Sequence, residues 1–229
     1  MESNKNISSK VYNVIILDKS GSMSSIARQA VDGVNETLGS IRVSREKHPE
    51  QEQFVTLVAF CGCELKRIID RQPIEQVKNL NYGDYRPCCM TPLYDAVGST
   101  ITTLHELIAD DPHNVASVTI ITDGYENASR EFRRQDIKAL IERYTKEGWL
   151  FAYIGADHDV HSVAVSLSIN NALEFEKSEE GTQRMFNRFN NSRSNWSDAM
   201  YNCMAAPMSS SERREAMRKA NEDFFEDEA

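Results

Sequence analysis

Short apolar runs alternate with amphipathic stretches along most of the chain. A short run rich in β-branched residues is typical of a strand buried on both faces of a sheet, whereas apolar residues at every third or fourth position indicate a helix. The apolar runs predict strands at residues 11–17, 54–60, 64–69, 115–122, 150–154 and 172–175. The helical spacing predicts helices at residues 24–47, 93–109, 132–146, 160–167 and 212–225.

The order of these elements predicts an α/β fold. When strands and helices alternate, each helix carries the chain back across the sheet, so that successive strands run parallel and helices cover both faces. The strand at residues 64–69 is different, because only the turn CGC at residues 61–63 separates it from the strand before it. This short turn predicts an antiparallel hairpin. We therefore expect a doubly wound, Rossmann-like and mainly parallel sheet with one antiparallel edge strand and helices on both faces.

The length of 229 residues suits one large domain with a tail. We expect a leader segment at residues 1–10, the α/β domain at 11–192 and a helical tail at 193–229, where the apolar pattern changes. Ser209 and Glu212 form a capping-box pattern before the last predicted helix. A tail helix docked on the domain and a solvated, partly disordered C-terminus both remain compatible with this pattern.

The charge and the cysteine content narrow the range of partners and compartments. A net charge of −9 repels the phosphates of nucleic acids and of anionic membranes, so we expect neither as a partner. The first residues contain no apolar run, and no segment is long enough to cross a bilayer, which favours a cytoplasmic protein. Five cysteines, an odd number, argue against a framework of disulfides.

Three polar segments lie at the ends of predicted elements. The string DKSGS at residues 18–22 follows the first strand, Thr91 precedes the second helix, and Asp123 follows the fourth strand. If these two strands are neighbours in a parallel sheet, Asp18 and Asp123 emerge side by side at one edge. Ligands of such sheets bind beyond the carboxyl ends of the strands, where the strand order reverses.

The side chains of these segments are all hard oxygen donors, which favours Mg²⁺, with Mn²⁺ or Ca²⁺ also possible, over Zn²⁺ or Cu²⁺. Two carboxylates and three neutral hydroxyls would leave an open coordination position that attracts a carboxylate from another molecule. Each segment taken alone could have a purely structural role, because the serines of DKSGS can cap the following helix and Asp123-Gly124 is a common turn dipeptide. Their combination in order favours a metal site, with the candidate ligands Asp18, Ser20, Ser22, Thr91 and Asp123.

The strings DKSGS (18–22), MTPLYDA (90–96) and ITDG (121–124) resemble the metal-ion-dependent adhesion site of von Willebrand factor A domains. The longer strings TDGYENAS (122–129) and GWLFAYIGAD (148–157) are similar to the stand-alone bacterial and phage members of that family. The resemblance implies a von Willebrand factor A-type fold over most of the predicted domain.

The same resemblance implies a function. The five candidate ligands would hold the ion directly or through water, and the sixth position would accept a Glu or Asp from a partner protein. Domains of this type are generally non-catalytic. We therefore expect a divalent-metal-dependent protein–protein interaction module rather than an enzyme.

The alternative is a metal-dependent hydrolase, of the phosphatase kind, that uses the same Asp-bound metal. Such an enzyme needs a nucleophile or a metal-bound water, a placed general base and a cationic clamp on the phosphate. The chain has no glycine-rich phosphate loop that ends in Lys-Ser or Lys-Thr. Lys19 lies within the first motif, but the alternation of side chains is expected to turn it away from Asp18 and Ser20.

The residues before Thr91 depart from the family pattern, which usually has small residues, often glycine, at these positions. Here they are RPCCM (86–90), which places two thiols near the expected metal. Together with Cys61 and Cys63, these thiols could form a Zn²⁺ site or a redox switch, although C-x-C and C-C match no common zinc module. Buried free cysteines are the other interpretation.

Residues around the expected metal form a candidate partner-binding rim. Asp157 and Asp159, with His158 and His161, could also form a second metal site or cap the following helix. Glu126 could instead order the loop after Asp123. The candidate rim residues are Lys19, Met23, Glu126, Asn127, Asp157 and Asp159.

Overall fold

A six-stranded sheet forms the centre of the computed structural model, which describes residues 9–111 and 113–225. Across the sheet the third strand lies at one edge, followed by the second, first, fourth, fifth and sixth. Every neighbouring pair is parallel except the second and third strands, which form an antiparallel hairpin. The strands are β1 (Ser9–Asp18), β2 (Gln51–Cys61), β3 (Glu64–Pro73), β4 (Asn114–Thr122), β5 (Leu150–Gly155) and β6 (Asn171–Glu174).

Helices cover both faces of the sheet and enclose two hydrophobic cores. Side chains of β1 alternate between them, with Ile15 and Leu17 in one core and Val14 and Ile16 in the other. The first core contains α1, α5 and α6, and the second contains α2, α3 and α4, which confirms the predicted fold class. The helices are α1 (Ala27–Lys47), α2 (Leu93–Ile108), α3 (Arg134–Lys146), α4 (Val160–Ser166), α5 (Glu179–Ala205) and α6 (Ser210–Glu222).

Helix α5 is an element that the sequence pattern did not predict. It packs along α1 and contributes Phe186, Phe189 and Trp196 to the first core. The expected boundary between residues 192 and 193 falls inside this continuous helix, so both of its halves pack on the same core. Among the described helices, none is both long and apolar enough to cross a membrane.

The contact between α5 and α1 includes a fully buried arginine. Arg193 donates hydrogen bonds from Nη2 to Ser40 Oγ (2.7 Å) and Ser44 Oγ (3.1 Å), two hydroxyls one turn apart on α1. Its Nε and Nη1 atoms are buried and have no hydrogen-bond partner within the described ranges. Burial lowers the pKa of Arg193 to about 10.

The C-terminal helix α6 is docked on the domain. Ser209 and Glu212 form the predicted capping box at its start, and Met217 is buried against the first core. Trp196 of α5 donates its indole N–H to Asn221 Oδ1 (2.8 Å). Of the expected leader, residues 1–8 lie outside the described part of the chain, and β1 already begins at Ser9.

The sheet topology creates one point where the strand order reverses. From β1 the chain adds β2 and β3 on one side, and then returns to add β4, β5 and β6 on the other. The register pairs Leu17 of β1 with Ile121 of β4, so Asp18 and Thr122 end neighbouring parallel strands at the same edge. Ligands bind at such reversal points in open α/β sheets, and the predicted metal site lies there.

Two glycines of α1 provide a test of the helix packing. A Cβ atom at Gly33 would lie 2.0 Å from Phe186 Cδ2 of α5, whereas a Cβ at Gly39 would meet nothing within 4 Å. Overpacking costs more than the helix propensity gained, so Gly33→Ala is expected to lower the free energy of unfolding by about 1–2 kcal/mol. Gly39→Ala is expected to raise it by roughly 0.5–1 kcal/mol. Urea denaturation measures both, and equal stability of the two variants would contradict the packing of α5 on α1.

Candidate metal centre

Two carboxylates are buried at the carboxyl edge of the sheet. Asp18 is the last residue of β1 and is 0% exposed, and Asp123 directly follows β4 and is 3% exposed. The Oδ1 atom of Asp18 accepts a hydrogen bond from the Ser20 amide (2.7 Å), and its Oδ2 accepts one from Thr122 Oγ1 (2.6 Å). The ends of β1 and β4 therefore present their acidic side chains to one small volume.

Serine hydroxyls connect these two carboxylates. Ser22 Oγ donates to Asp123 Oδ1 (2.6 Å), and the Oγ atoms of Ser20 and Ser22 lie 3.1 Å apart. Asp18, Ser20, Ser22 and Asp123, four of the five predicted ligands, thus belong to one hydrogen-bonded network.

The loop before α2 brings Thr91 to the same edge. Thr91 is buried, its amide donates to Asn127 Oδ1 (2.8 Å), and its carbonyl accepts from the Asn127 amide (3.1 Å). The preceding residues bind the backbone of the DKSGS segment: Gly21 N donates to the carbonyl of Cys89 (3.1 Å) and Cys88 N to that of Lys19 (2.8 Å). Three separate loops therefore meet at this edge, as the sequence predicted.

The burial of these carboxylates has an electrostatic cost. Burial raises the pKa of Asp18, and the nearby charge of Asp123 raises it further, although hydrogen bonds from Thr122 and Ser20 partly oppose the shift. Tyr85 donates its hydroxyl to the Asp18 carbonyl, and burial together with the two carboxylates raises its pKa well above the ordinary value. The centre therefore favours the presence of a positive charge.

Lys177, which the sequence analysis did not single out, supplies one such charge. Its Nζ lies 2.5 Å from Asp123 Oδ2 and 3.4 Å from Asp157 Oδ2. Burial lowers the pKa of Lys177, but the hydrogen bond and charge of Asp123, together with the charge of Asp157, outweigh this effect and raise it. Asp123 Oδ2 is buried and, among the described residues, accepts no well-aligned hydrogen bond.

The donor set fits a hard divalent cation. The connected side chains offer carboxylate and hydroxyl oxygens, which are the ligands that Mg²⁺, Mn²⁺ and Ca²⁺ prefer. Two buried carboxylates face one lysine ammonium, so one negative charge has no counter-charge within the network. The buried Asp123 Oδ2 atom contacts the Lys177 ammonium, so an ion bound at this oxygen would compete with that contact.

Two of the expected rim residues are corrected by the structure. Met23 is 1% exposed and packs in the first core, because the short 3-10 helix Gly21–Ile26 turns it inward. The side chain of Lys19 is also buried and forms an ion pair with Glu64 at the start of β3. Neither side chain is available to a partner.

The remaining rim residues divide into exposed and structural groups. Asn127, Asp157 and Asp159 are exposed, and Asp159 also caps α4 by accepting a hydrogen bond from the Ser162 amide (3.0 Å). Glu126 instead orders its own loop, because its carboxylate accepts from the amides of Tyr94, Ala128 and Ser129 and from the Ser129 hydroxyl.

His158 does not form the second metal site that the sequence allowed. Its Nδ1 lies 2.6 Å from the carbonyl of Ala156, and its Nε2 lies 3.0 Å from the hydroxyl of Tyr153. Both ring nitrogens are therefore engaged inside the fold, while Asp157 and Asp159 remain on the surface.

The cysteines also depart from expectation. The odd count argued against disulfides, but the structure contains one between Cys63, in the β2–β3 turn, and Cys89, in the loop before α2. The two positions lie 26 residues apart in sequence and meet only because that loop folds back over the end of β2.

The sequence matches no protein-family model and no curated protein. Similar solved structures include proximal thread matrix protein 1 from the mussel byssus, with a TM-score of 0.56 and 12% identity over 79% of this chain and 45% of that one. A von Willebrand factor type A protein from Catenulispora acidiphila has a TM-score of 0.53 and 14% identity over 84% of this chain and 43% of that one. The SpRpn10 VWA domain has a TM-score of 0.52 and 12% identity over 77% of this chain and 94% of that one.

This chain thus spans less than half of the mussel and Catenulispora chains but nearly all of the SpRpn10 VWA domain. At these identities the likeness concerns the backbone arrangement, including the mainly parallel sheet with its one antiparallel edge strand. The fold of this chain is that of the von Willebrand factor A-type domains.

Proposed function

We propose that this chain is a divalent-metal-dependent protein-interaction module whose metal site accepts a carboxylate from a partner protein. The observation that carries the proposal is the pair of buried carboxylates, Asp18 and Asp123, joined through Ser20 and Ser22 at the point where the strand order reverses. In this proposal Mg²⁺, or Mn²⁺ or Ca²⁺, is held by Asp18, Ser20, Ser22, Thr91 and Asp123.

Charge supports an anionic partner group. A divalent ion would balance the Asp18 and Asp123 carboxylates, and the Lys177 ammonium would balance Asp157. The ion would therefore change the charge of this group from −2 to zero and remove its repulsion of an incoming anion. A bound ion would supply a Lewis-acidic centre for an incoming oxygen anion. The carboxylate of an Asp or Glu side chain is an oxygen anion of this kind. Its hydrogen bonds and ion pairs are strengthened where water is partly excluded.

The surface around the centre suits a protein contact. Met90, which precedes Thr91, is 55% exposed, and Tyr125, in the loop that follows Asp123, is 56% exposed. Aromatic residues and methionine are enriched in protein interfaces, where a ring of apolar contacts keeps water from a central polar pair. The proposed rim therefore consists of Met90, Tyr125, Asn127 and Asp157, which replaces the buried Lys19 and Met23.

A non-catalytic role is part of the proposal. A hydrolase at this centre would need a general base near the reacting water. His158 comes from the adjacent loop, but both its ring nitrogens are engaged with Tyr153 and Ala156. Among proteins of the same fold, one is described as a matrix protein of the mussel byssus, and an interaction role is what we propose for this chain.

The isosteric variant Asp18→Asn tests the metal centre. We expect Mg²⁺ binding to weaken by more than about 100-fold, since even supporting groups of metal sites contribute about 10–100-fold. Isothermal titration calorimetry measures the affinity. The matched control is Asp110→Asn. Asp110 is exposed and precedes β4, at the amino ends of the parallel strands and away from the metal centre, so this variant should bind Mg²⁺ as the unmodified chain does.

The same variant has an expected effect on stability in the presence of a chelator. Folding raises the pKa of the Asp18 carboxyl group above its ordinary value of 3.8. As the pH rises, the carboxyl group therefore ionises first in the unfolded chain. The free energy of unfolding then falls until the pH has passed the pKa of the folded state. Asn cannot ionise, so Asp18→Asn should remove this loss and unfold at a higher temperature at neutral pH. A lower melting temperature would mean that the buried carboxylate stabilises the metal-free fold.

Selection of displayed peptides on the Mg²⁺-loaded chain tests the partner group. Peptides eluted by a chelator are expected to share an Asp or Glu, and replacing it by Asn or Gln should weaken binding by about 2–5 kcal/mol. Enrichment that does not depend on Mg²⁺ would count against the proposal. Turnover of a phosphate ester that disappears in Asp18→Asn would instead support the hydrolase.

Lys177→Gln separates metal binding from partner binding. Removing the ammonium relieves its repulsion of the ion, so we expect Mg²⁺ to bind at least about tenfold more tightly, or 1.4 kcal/mol. The selected acidic peptides should bind more weakly to the Mg²⁺-saturated variant, because Asp157 loses its counter-charge and repels the incoming carboxylate. Lys138→Gln, an exposed position on α3, is the control for a general charge effect and should change neither affinity.

A further inference from the structure

Four cysteines from two segments meet beside the metal centre. Cys61 ends β2 and Cys63 lies in the turn after it, whereas Cys88 and Cys89 are neighbours in the loop before α2. Cys63 and Cys89 form a disulfide, and the Sγ atoms of Cys61 and Cys88 lie 3.4 Å apart. The sulfur atoms of Cys61, Cys63 and Cys88 all lie within 4.8 Å of one another. Three sulfurs thus lie together, and Cys89 is connected to them through its bond to Cys63.

The spacing of these sulfurs fits a tetrahedral metal. Zinc binds thiolates at about 2.3 Å, which places neighbouring sulfurs of a tetrahedral site roughly 3.8 Å apart. The sulfurs of Cys61, Cys63 and Cys88 already approach this separation, and that of Cys89 joins them through its bond to Cys63. After reduction, the Cys89 side chain would turn toward the other three sulfurs to complete the tetrahedron.

Backbone hydrogen bonds hold the two segments together independently of the sulfurs. Gly62 N donates to the carbonyl of Met90 (2.8 Å), and Cys88 N donates to that of Lys19 (2.8 Å). Cys89 has a φ of 63°, a left-handed conformation that costs a non-glycine residue energy and persists only where the surroundings hold it. These hydrogen bonds tie the loop before α2 to the β2–β3 turn and to Lys19 without involving a sulfur atom.

A cation accompanies the sulfur cluster. Burial lowers the pKa of Lys19, but its hydrogen bond to Glu64, together with the charges of Cys61, Glu64 and Cys88, outweighs this effect and raises it. Four thiolates and one Zn²⁺ carry a net charge of −2, and the Lys19 ammonium, which pairs with Glu64, lies beside them.

We propose that the reduced cysteine cluster, Cys61, Cys63, Cys88 and Cys89, binds one Zn²⁺ through four thiolates. A dithiol reductant supplies two electrons and two protons to the Cys63–Cys89 disulfide, yielding two thiols, and itself becomes a disulfide. Zn²⁺ then replaces the four thiol protons, which pass to the solvent. The soft sulfur ligands select against Mg²⁺, so this site is chemically distinct from the oxygen-lined centre.

Zinc in the cluster would fix the loop that carries Thr91. The four ligands tie the β2–β3 turn to residues 88 and 89, directly before the proposed Mg²⁺ ligand. Either the disulfide or the zinc–thiolate form joins the same two segments, so the loop stays attached under oxidising and reducing conditions alike.

Cobalt spectroscopy on the full chain tests this proposal. The protein is reduced with dithiothreitol, freed of reductant under nitrogen and titrated with Co²⁺. We expect a sulfur-to-cobalt charge-transfer band and the visible bands of a tetrahedral site, saturating at one equivalent and abolished by one equivalent of Zn²⁺. Oxygen ligands give no such charge-transfer band, so Asp18→Asn should retain it in full.

Matched variants identify the ligands. The double variant Cys61→Ser/Cys88→Ser is expected to lose the band, and Cys203→Ser, which removes a buried free cysteine of α5, is expected to keep it. Non-denaturing mass spectrometry of the unmodified reduced chain does not depend on any variant folding and, after one equivalent of Zn²⁺ is added, should show the mass of the reduced chain plus one zinc less two protons, because the ion supplies two of the positive charges. Absence of that mass, or a band that survives in the double variant, would overturn the proposal.

Discussion

The parallel pairing of β1 with β4 is the constraint on which the rest of the molecule depends. Its register ends both strands at one level, so that Asp18, Thr122 and Asp123 lie together, and no other pair of strands in the described chain brings two carboxylates together in this way. Burial then makes these charges costly unless donors and a cation accompany them. Ser22, Thr122 and Lys177 meet that requirement in part, and the proposed ion would complete it.

Much of the fold could be predicted from the sequence because its strands are buried on both faces and appear as continuous apolar runs. Helix α5 could not, since Asn, Ser and Arg occupy much of it and these residues interrupt its apolar spacing. Its stability comes from packing against α1 rather than from intrinsic helix propensity, and packing of this kind is not visible in a local pattern. The domain boundary expected at residues 192–193 was drawn inside this helix for the same reason.

The candidate ligands Asp18 and Asp123 could be predicted because each directly follows an apolar run that predicts a strand. The residues that contact them could not, because those contacts depend on the order of the strands in the sheet. Lys177 follows β6, and it reaches Asp123 only because β6 lies two strands from β4. Lys19 was expected at the partner-binding rim, but β3 at the sheet edge supplies Glu64, and the lysine side chain is buried in pairing with it. The pairing of Cys63 with Cys89 likewise requires the path of the loop before α2, which no spacing rule encodes.

The buried Arg193 has a mechanical consequence. Its hydrogen bonds to Ser40 and Ser44 fix the lengthwise position of α5 against α1, and a slide of one turn would separate the guanidinium from both hydroxyls. Leaving buried donors without these partners costs about 1–3 kcal/mol, and more for a charged group. Sliding of α5 along α1 is therefore unfavourable, so the two helices are expected to move as one rigid unit.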